Sequence, residues 1–76
     1  MTEDEMISRI KDLYPDAEIS VAGENCSFEV NITTPAFAEM KSLQRQRSIL
    51  TLFNTEIASG ELHALTVKAK TPQELQ

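Results

Sequence analysis

Cys26 and His63 carry the only thiol and the only imidazole of this 76-residue chain, so they are its first candidates for metal chemistry. Thiolate sulfur and imidazole nitrogen both bind soft and borderline metal ions. Two ligands cannot close a four-coordinate structural site, so a partner would have to complete the shell. The sequence leaves a simpler alternative open for each: an inert small residue for Cys26, and a surface or partly buried histidine for His63.

No catalytic pattern is present in the sequence. The only glycines are Gly23 and Gly60, which excludes the glycine-rich phosphate and dinucleotide loops and the nucleophile elbow. A dyad of Cys26 and His63 would lack a third group to orient it, and the charge of Glu24 disfavours a reactive thiolate. The residues therefore indicate a binding module rather than an enzyme.

Five basic residues in the second half of the chain form the other candidate surface. They are Lys41, Arg45, Arg47, Lys68 and Lys70. The formal net charge is −5, and residues 1–40 carry nine acids against two bases. An acidic chain repels phosphate at long range, which disfavours general nucleic-acid binding. The five bases could form a face for an acidic partner or for nucleic acid, or could simply be solvated.

The elements that must position these residues begin with a helix and a hairpin. A capping box and helical apolar spacing over residues 2–14 predict a first helix, which Pro15 ends. Polar and apolar residues alternate over residues 17–22 and again over residues 27–33, which predicts two half-buried strands. Residues 23–26 between them have the composition of a tight turn.

The second half of the sequence predicts a longer helix and a third strand. Residues 34–40 predict a short helical turn that begins with a Thr-Pro cap. Ser42 can cap a helix that runs to about Ser59, where Gly60 supplies the left-handed residue that ends it. The apolar stripe of this helix is Leu43, Leu50, Phe53 and Ile57, with Ile49 beside it. The third strand has apolar positions at Leu65, Val67 and Ala69, and residues 71–74 start a terminal turn.

The predicted order is α-β-β-α-α-β with a terminal helical turn, in a single domain of residues 1–76. The fold class is α+β: a three-stranded sheet packed against helices on one side, with the other face in water. Because the third strand follows a helical crossover, it can pair in parallel with a neighbour. The sequence has no apolar run of membrane-spanning length. Its N-terminus is acidic, and it has one cysteine. We therefore expect a protein of a reducing compartment, the cytosol or an organelle matrix, without a membrane segment, and we predict a cytoplasmic location.

Three stretches of the sequence together resemble the BolA-like protein family, most closely its short bacterial IbaG-like branch. They are residues 37–47 (FAEMKSLQRQR), 60–68 (GELHALTVK) and 71–74 (TPQE). The resemblance covers nearly the whole chain, and the order of elements agrees with it. It implies a fold similar to the class II KH domain and a monothiol CGFS-type glutaredoxin as partner. It also implies a [2Fe-2S] cluster shared in that pair, with the glutaredoxin cysteine and glutathione ligating one side.

The resemblance further implies which residues of this chain are ligands. The family histidine matches His63, and the second ligand, where the family has one, lies in the loop between the first two strands, where Cys26 falls. The loop histidine of the IbaG-like branch aligns with Ser27, one residue after Cys26. Two other positions depart from the family, since Glu39 stands where glycine is frequent and Gln46 replaces a histidine. A carboxylate at Glu39 would repel phosphate on the surface that KH domains use for nucleic acid.

The sequence therefore leaves alternative functions for this protein. The first is a non-enzymatic adaptor in iron–sulfur cluster trafficking or iron regulation, with His63 as the main ligand and Cys26 as the second. The isolated chain would then be a monomer without a cofactor. The alternative is a KH-like transcriptional regulator that binds nucleic acid weakly through the basic residues. A third possibility is a partner that binds glutaredoxin without any cluster.

Overall fold

A computed structural model describes residues 1–24 and 27–75 of the chain. The elements are α1 (Glu3–Leu13), β1 (Glu18–Glu24), β2 (Ser27–Thr33), a first 3₁₀ turn (Pro35–Phe37), α2 (Ser42–Thr51), α3 (Asn54–Ser59), β3 (Ala64–Lys70) and a second 3₁₀ turn (Pro72–Leu75). The predicted first helix, three strands and two short turns are all confirmed. The predicted order of elements and the α+β class are confirmed with them.

The sheet has the strand order β1-β2-β3, so β2 lies in the centre. Strands β1 and β2 are antiparallel, as the predicted hairpin requires. Strands β2 and β3 are parallel, with Ser27 opposite Ala64 at one end and Thr33 opposite Lys70 at the other. A parallel pair needs a long crossover, and here the first 3₁₀ turn, α2 and α3 provide it.

The core lies between one face of the sheet and the helices. Along β2 the side chains of Val30 and Ile32 are fully buried, whereas the intervening Asn31 is only half-buried, as strand alternation requires. The other buried apolar residues are Met6, Ile10, Ala17, Phe37, Ile49, Phe53, Leu62 and Val67. Within the described part of the chain, every helix is too short or too polar to cross a membrane.

The two parallel strands end in the same way, and the Thr-Pro cap predicted at residue 34 is confirmed. Thr34 follows β2, and its hydroxyl accepts a hydrogen bond from the amide of Ala36 at 3.2 Å. Thr71 follows β3, and its hydroxyl accepts from the amide of Glu74 at 3.3 Å. Both threonines are buried, and the amide of Thr34 donates to the carbonyl of Lys70 at 3.1 Å. The carboxyl ends of β2 and β3 are therefore fastened to each other.

The prediction of one helix from Ser42 to Ser59 is wrong, because the chain breaks at Leu52 and Phe53 into α2 and α3. Phe53 leaves the helical conformation, at φ −118° and ψ 16°, and its ring is fully buried. The hydroxyl of Thr51 donates to the carbonyl of Arg47 at 2.7 Å, a type of bond that tends to bend helices. The helix ends where a core position for Phe53 outweighs continued helical hydrogen bonding.

The predicted apolar stripe and the predicted cap of that helix are wrong as well. Leu43 is 58% exposed and Ile57 is 40% exposed, whereas Ile49 is fully buried. The stripe assumed one continuous helical phase, and the break changes that phase between α2 and α3. The capping residue is Lys41, whose backbone is extended and whose amide donates to the side-chain oxygen of Gln44 at 3.0 Å. Ser42, the predicted cap, is already the first helical residue.

Arg45 fastens α2 to the sheet and to both 3₁₀ turns. Its Nε donates to the carbonyls of Phe37 (3.1 Å) and Met40 (3.0 Å). Its Nη1 donates to the carbonyl of Ala69 (3.3 Å) and to Oε1 of Glu74 (2.7 Å). The guanidinium also lies 5.7 Å from the centre of the Phe37 ring. Since the planar guanidinium presents several donors in a fixed geometry, one side chain joins four segments.

Stability should depend on acid titration of the carboxylates that face arginine. The hydrogen bond from Arg45 lowers the pKa of Glu74 from its ordinary 4.5 to about 2, with help from the Thr71 amide. A carboxyl whose pKa is lower in the folded state stabilises the fold above its unfolded pKa and loses that effect as pH falls. We expect the midpoint of thermal unfolding to fall between pH 4.5 and 2, and to fall less steeply in Glu74→Gln. Glu39→Gln, which changes an exposed carboxylate, is the control, and an equally reduced slope in that variant would contradict the assignment.

Gly23 should be the least replaceable residue of the hairpin. Its φ is +128°, and a methyl group there would overlap the carbonyl oxygen of Ser27 and come within 2.8 Å of the Cα of Phe28. We expect Gly23→Ala to lower the free energy of unfolding by about 2 kcal/mol or more, measured by urea denaturation. Gly60→Ala is the matched control, because Gly60 also has a positive φ (+85°) but nothing lies within 4 Å of the added methyl. Equal losses in the two variants would show that the hairpin contact is unimportant.

Candidate functional site

His63 presents an exposed side chain on a backbone that is held on both sides. On its N-terminal side, the amide of Leu62 donates to the carbonyl of Glu56 at 3.0 Å, and the Leu62 side chain is 1% exposed. On its C-terminal side, Ala64 begins β3 and pairs with Ser27. The imidazole is therefore open to solvent or a partner, while its attachment point is fixed by the fold.

The turn before His63 is built from the end of α3. Gly60 ends that helix in the left-handed conformation predicted for it, at φ +85° and ψ 2°. The hydroxyl of Ser59 donates to the carbonyl of Glu56 at 3.2 Å and accepts from the amide of Glu61 at 3.3 Å. The carbonyl of Glu56 thus accepts hydrogen bonds from both Ser59 and Leu62, and it holds the segment that precedes His63.

Cys26, the second predicted ligand, lies outside the residues that the structure describes. The residues after the two candidate ligands are described, and they are paired: Ser27 follows Cys26 and lies opposite Ala64, which follows His63. The start of β2 is therefore beside the start of β3. The role of Cys26 as a second ligand remains a prediction.

A shallow surface depression lies on the sheet at this same end. It is lined by Ala22, Gly23, Ser27, Phe28, Glu29, Ala64 and Thr66. Several of these side chains are small, so a partner's backbone could approach the sheet closely beside the segment that carries His63. The depression is open, and the described residues that line it include no imidazole or thiol. We therefore regard it as part of the surroundings of His63 rather than as a separate site.

The described residues alone do not form a metal site. Among the side chains of residues 1–23 and 27–75, no group of three or more histidine, cysteine, aspartate or glutamate residues is arranged to hold a metal ion. His63 can supply one nitrogen ligand, and its exposure would let that nitrogen reach a metal carried by another molecule. A metal bound through His63 would need its remaining ligands from outside the described part of this chain.

The five predicted basic residues have three different environments. Arg45 is engaged in the interior, with only 11% of its side chain exposed. Lys68 forms an ion pair with Glu29 at 2.7 Å on the face of the sheet away from the core. Lys41, Arg47 and Lys70 are exposed. The surface charge that a partner could meet is therefore smaller than the sequence suggested.

Arg9 and Glu56 were not identified from the sequence, although they contact the segments that position His63. Nη1 of Arg9 donates to Oε1 of Glu56 at 2.7 Å and to the carbonyl of Leu52 at 2.9 Å, and the guanidinium lies 5.2 Å from the centre of the Phe53 ring. The hydrogen bond from Arg9 lowers the pKa of the Glu56 carboxyl. The two residues are 47 positions apart, and no local pattern in the sequence pairs them.

Comparison with solved structures confirms the fold. BolA1 from Arabidopsis thaliana superposes with a TM-score of 0.81 at 27% identity, covering 93% of this chain and 92% of that one. The BolA domain of SufE1 from the same plant has a TM-score of 0.69 at 29% identity, covering 97% of this chain and 99% of that one.

Comparison of sequences extends the similarity from the fold to the family. A protein of Acinetobacter guillouiae from the rpoN-murA intergenic region is 34% identical over 74 residues, which span 97% of this chain and 89% of that protein. The family model described as BolA-like protein matches residues 10–74, a span that includes His63 and the whole sheet. The IbaG-like branch is not distinguished by these matches and stays a prediction. The chain belongs to the BolA-like protein family.

Proposed function

We propose that this protein is a cytoplasmic, non-enzymatic adaptor that pairs with a monothiol CGFS-type glutaredoxin and shares or transfers a [2Fe-2S] cluster. It would act in iron–sulfur cluster trafficking or iron regulation. The observation that carries the proposal is His63, an exposed imidazole on a backbone fixed by Leu62 on one side and Ala64 on the other. Family membership supports it, because the family resemblance implies this partner and this ligand.

The chemistry of a single histidine ligand fits a cargo that is passed on. Replacing a thiolate with an imidazole raises the reduction potential of an iron–sulfur cluster. It also gives a neutral ligand in place of an anionic one, so the attachment should be easier to release. The glutaredoxin cysteine and glutathione would supply the other ligands. Cys26 is the candidate for a second ligand from this chain, since it immediately precedes Ser27 in the sequence.

The exposed bases could complement the negative charge of that partner. Lys41, Arg47 and Lys70 are exposed, and opposite charges across an interface mainly increase the rate and specificity of association. The glutathione carboxylates are one target of suitable charge. The nucleic-acid alternative is less well supported, because Arg45 makes internal hydrogen bonds and Glu39, two residues before Lys41 in the sequence, is exposed.

The test is anaerobic reconstitution of the purified protein with a monothiol glutaredoxin, iron, sulfide and glutathione. We expect a visible circular dichroism spectrum that differs from that of the glutaredoxin homodimer. His63→Ala should lose it, because the cluster loses its ligand from this chain. Glu61→Gln is the control, since Glu61 is exposed two residues away and its side chain is not a proposed ligand. Cys26→Ser decides whether the thiol is also a ligand.

Two results would count against this function. A homodimer spectrum that the wild-type protein leaves unchanged would exclude a shared cluster, and a heterodimer spectrum retained in His63→Ala would exclude His63 as its ligand. Calorimetry would then separate a glutaredoxin partner without a cluster from a protein that does not bind glutaredoxin. DNA binding that falls steeply with salt and survives loss of His63 would favour the alternative.

A further inference from the structure

Helix α3 is too short to hold the turn before His63 in place without contacts from other elements. It has six residues, and Phe53, at its N-terminal cap position, provides no side-chain cap hydrogen bond. Isolated helices of this length are unstable in water, because the few hydrogen bonds they form do not offset the free-energy cost of nucleation. The break before α3 also leaves the carbonyl of Leu52 outside the regular helical pattern. External contacts must therefore stabilise both the break and the helix.

Arg9 of α1 supplies contacts to both the break and the helix. One nitrogen, Nη1, donates to the carbonyl of Leu52 on the α2 side of the break and to the carboxylate of Glu56 within α3. Its guanidinium lies over the ring of Phe53, the residue at which the helix breaks. The side chains of Arg9 and Glu56 are 35% and 15% exposed, so the ion pair is only partly screened by water. Arg9 thus ties α3 to α1, which contributes Met6 and Ile10 to the core.

Glu56 passes this restraint to the segment before His63. Its carboxylate accepts a hydrogen bond from the guanidinium of Arg9. Its carbonyl accepts hydrogen bonds from the amide of Leu62 at 3.0 Å and the hydroxyl of Ser59 at 3.2 Å. Leu62 is buried and is covalently next to His63. A movement of α3 would move Glu56 and would break the hydrogen bond that orients Leu62.

We propose that Arg9 and Glu56 are positioning residues for His63, acting through α3 and Leu62 and making no contact with the cargo themselves. The inference rests on the proposed function, in which His63 is a ligand. Losing the Arg9–Glu56 pair would allow the turn before His63 to open locally while the sheet and the rest of the core persist. A ligand attached to a mobile turn binds more weakly, because its freedom must be lost on binding.

The experiment compares Arg9→Met with Tyr14→Phe. Arg9→Met keeps an apolar stem over Phe53 and removes both hydrogen bonds. Tyr14→Phe is the control: it removes another side-chain contact between the first helix and α2, in which the Tyr14 hydroxyl donates to Ser48 at 2.9 Å and also lies 3.9 Å from the sulfur of Met40, and it does not involve α3. Glu56→Gln is the milder variant if Arg9→Met does not fold. Amide hydrogen exchange of Leu62 and titration with cluster-loaded glutaredoxin, followed by visible circular dichroism, are measured for each.

We expect exchange at Leu62 to be about tenfold faster in Arg9→Met, with Tyr14→Phe close to wild type. The protein concentration at the titration midpoint should rise by about tenfold, the low end of the effect of residues that support a metal ligand. Unchanged Leu62 exchange, or a wild-type midpoint despite faster exchange, would overturn the positioning role alone. A wild-type protein that forms no shared cluster would overturn the proposed function, and the positioning role with it.

Discussion

The parallel pairing of β2 and β3 is the constraint on which the rest of the structure depends. A parallel pair cannot be closed by a turn, so the chain must leave the end of β2 and return to the start of β3 through a long crossover. Together with α1, the crossover supplies the helical layer that covers the buried face of the sheet. It also brings the residue before Ala64, which is His63, to the end of the sheet where β2 begins at Ser27. The exposed imidazole is therefore placed by topology and fixed by local packing.

Two arginines hold this crossover, one at each end of the parallel strands. Arg45 acts where the strands finish and Arg9 acts near the return to β3, yet their contacts are of the same kind. Each donates to a backbone carbonyl and to a carboxylate at 2.7 Å, and each lies over a buried phenylalanine ring, Phe37 or Phe53. The chain has only seven bases, and two of them have structural roles. A count of charges therefore overestimates the basic surface offered to a partner.

The sequence predicted what local patterns determine and missed what tertiary contacts determine. The strands were predicted from the alternation of polar and apolar residues. The end of the helix at Gly60 was predicted because glycine adopts the left-handed conformation found there. The break at Phe53 could not be predicted from helical spacing, because it depends on a core position and on a carbonyl contact from Arg9, more than forty residues away. His63 was a candidate because it is the only histidine, and the family resemblance made it the expected ligand. Neither observation indicates how its backbone is held. The residues that hold it show no local pattern.

This division has a consequence for how a small adaptor can work. A chain that offers one exposed histidine to a shared cluster gains little affinity from ligand number, so the geometry of that ligand matters more. The backbone at His63 is held by Leu62 and by the start of β3, and neither is a ligand under the proposed function. Exposure of the imidazole permits release, while a fixed backbone limits the entropy lost on binding. An adaptor that must both accept and give up a cluster needs this combination, which neither a flexible loop nor a buried ligand would provide.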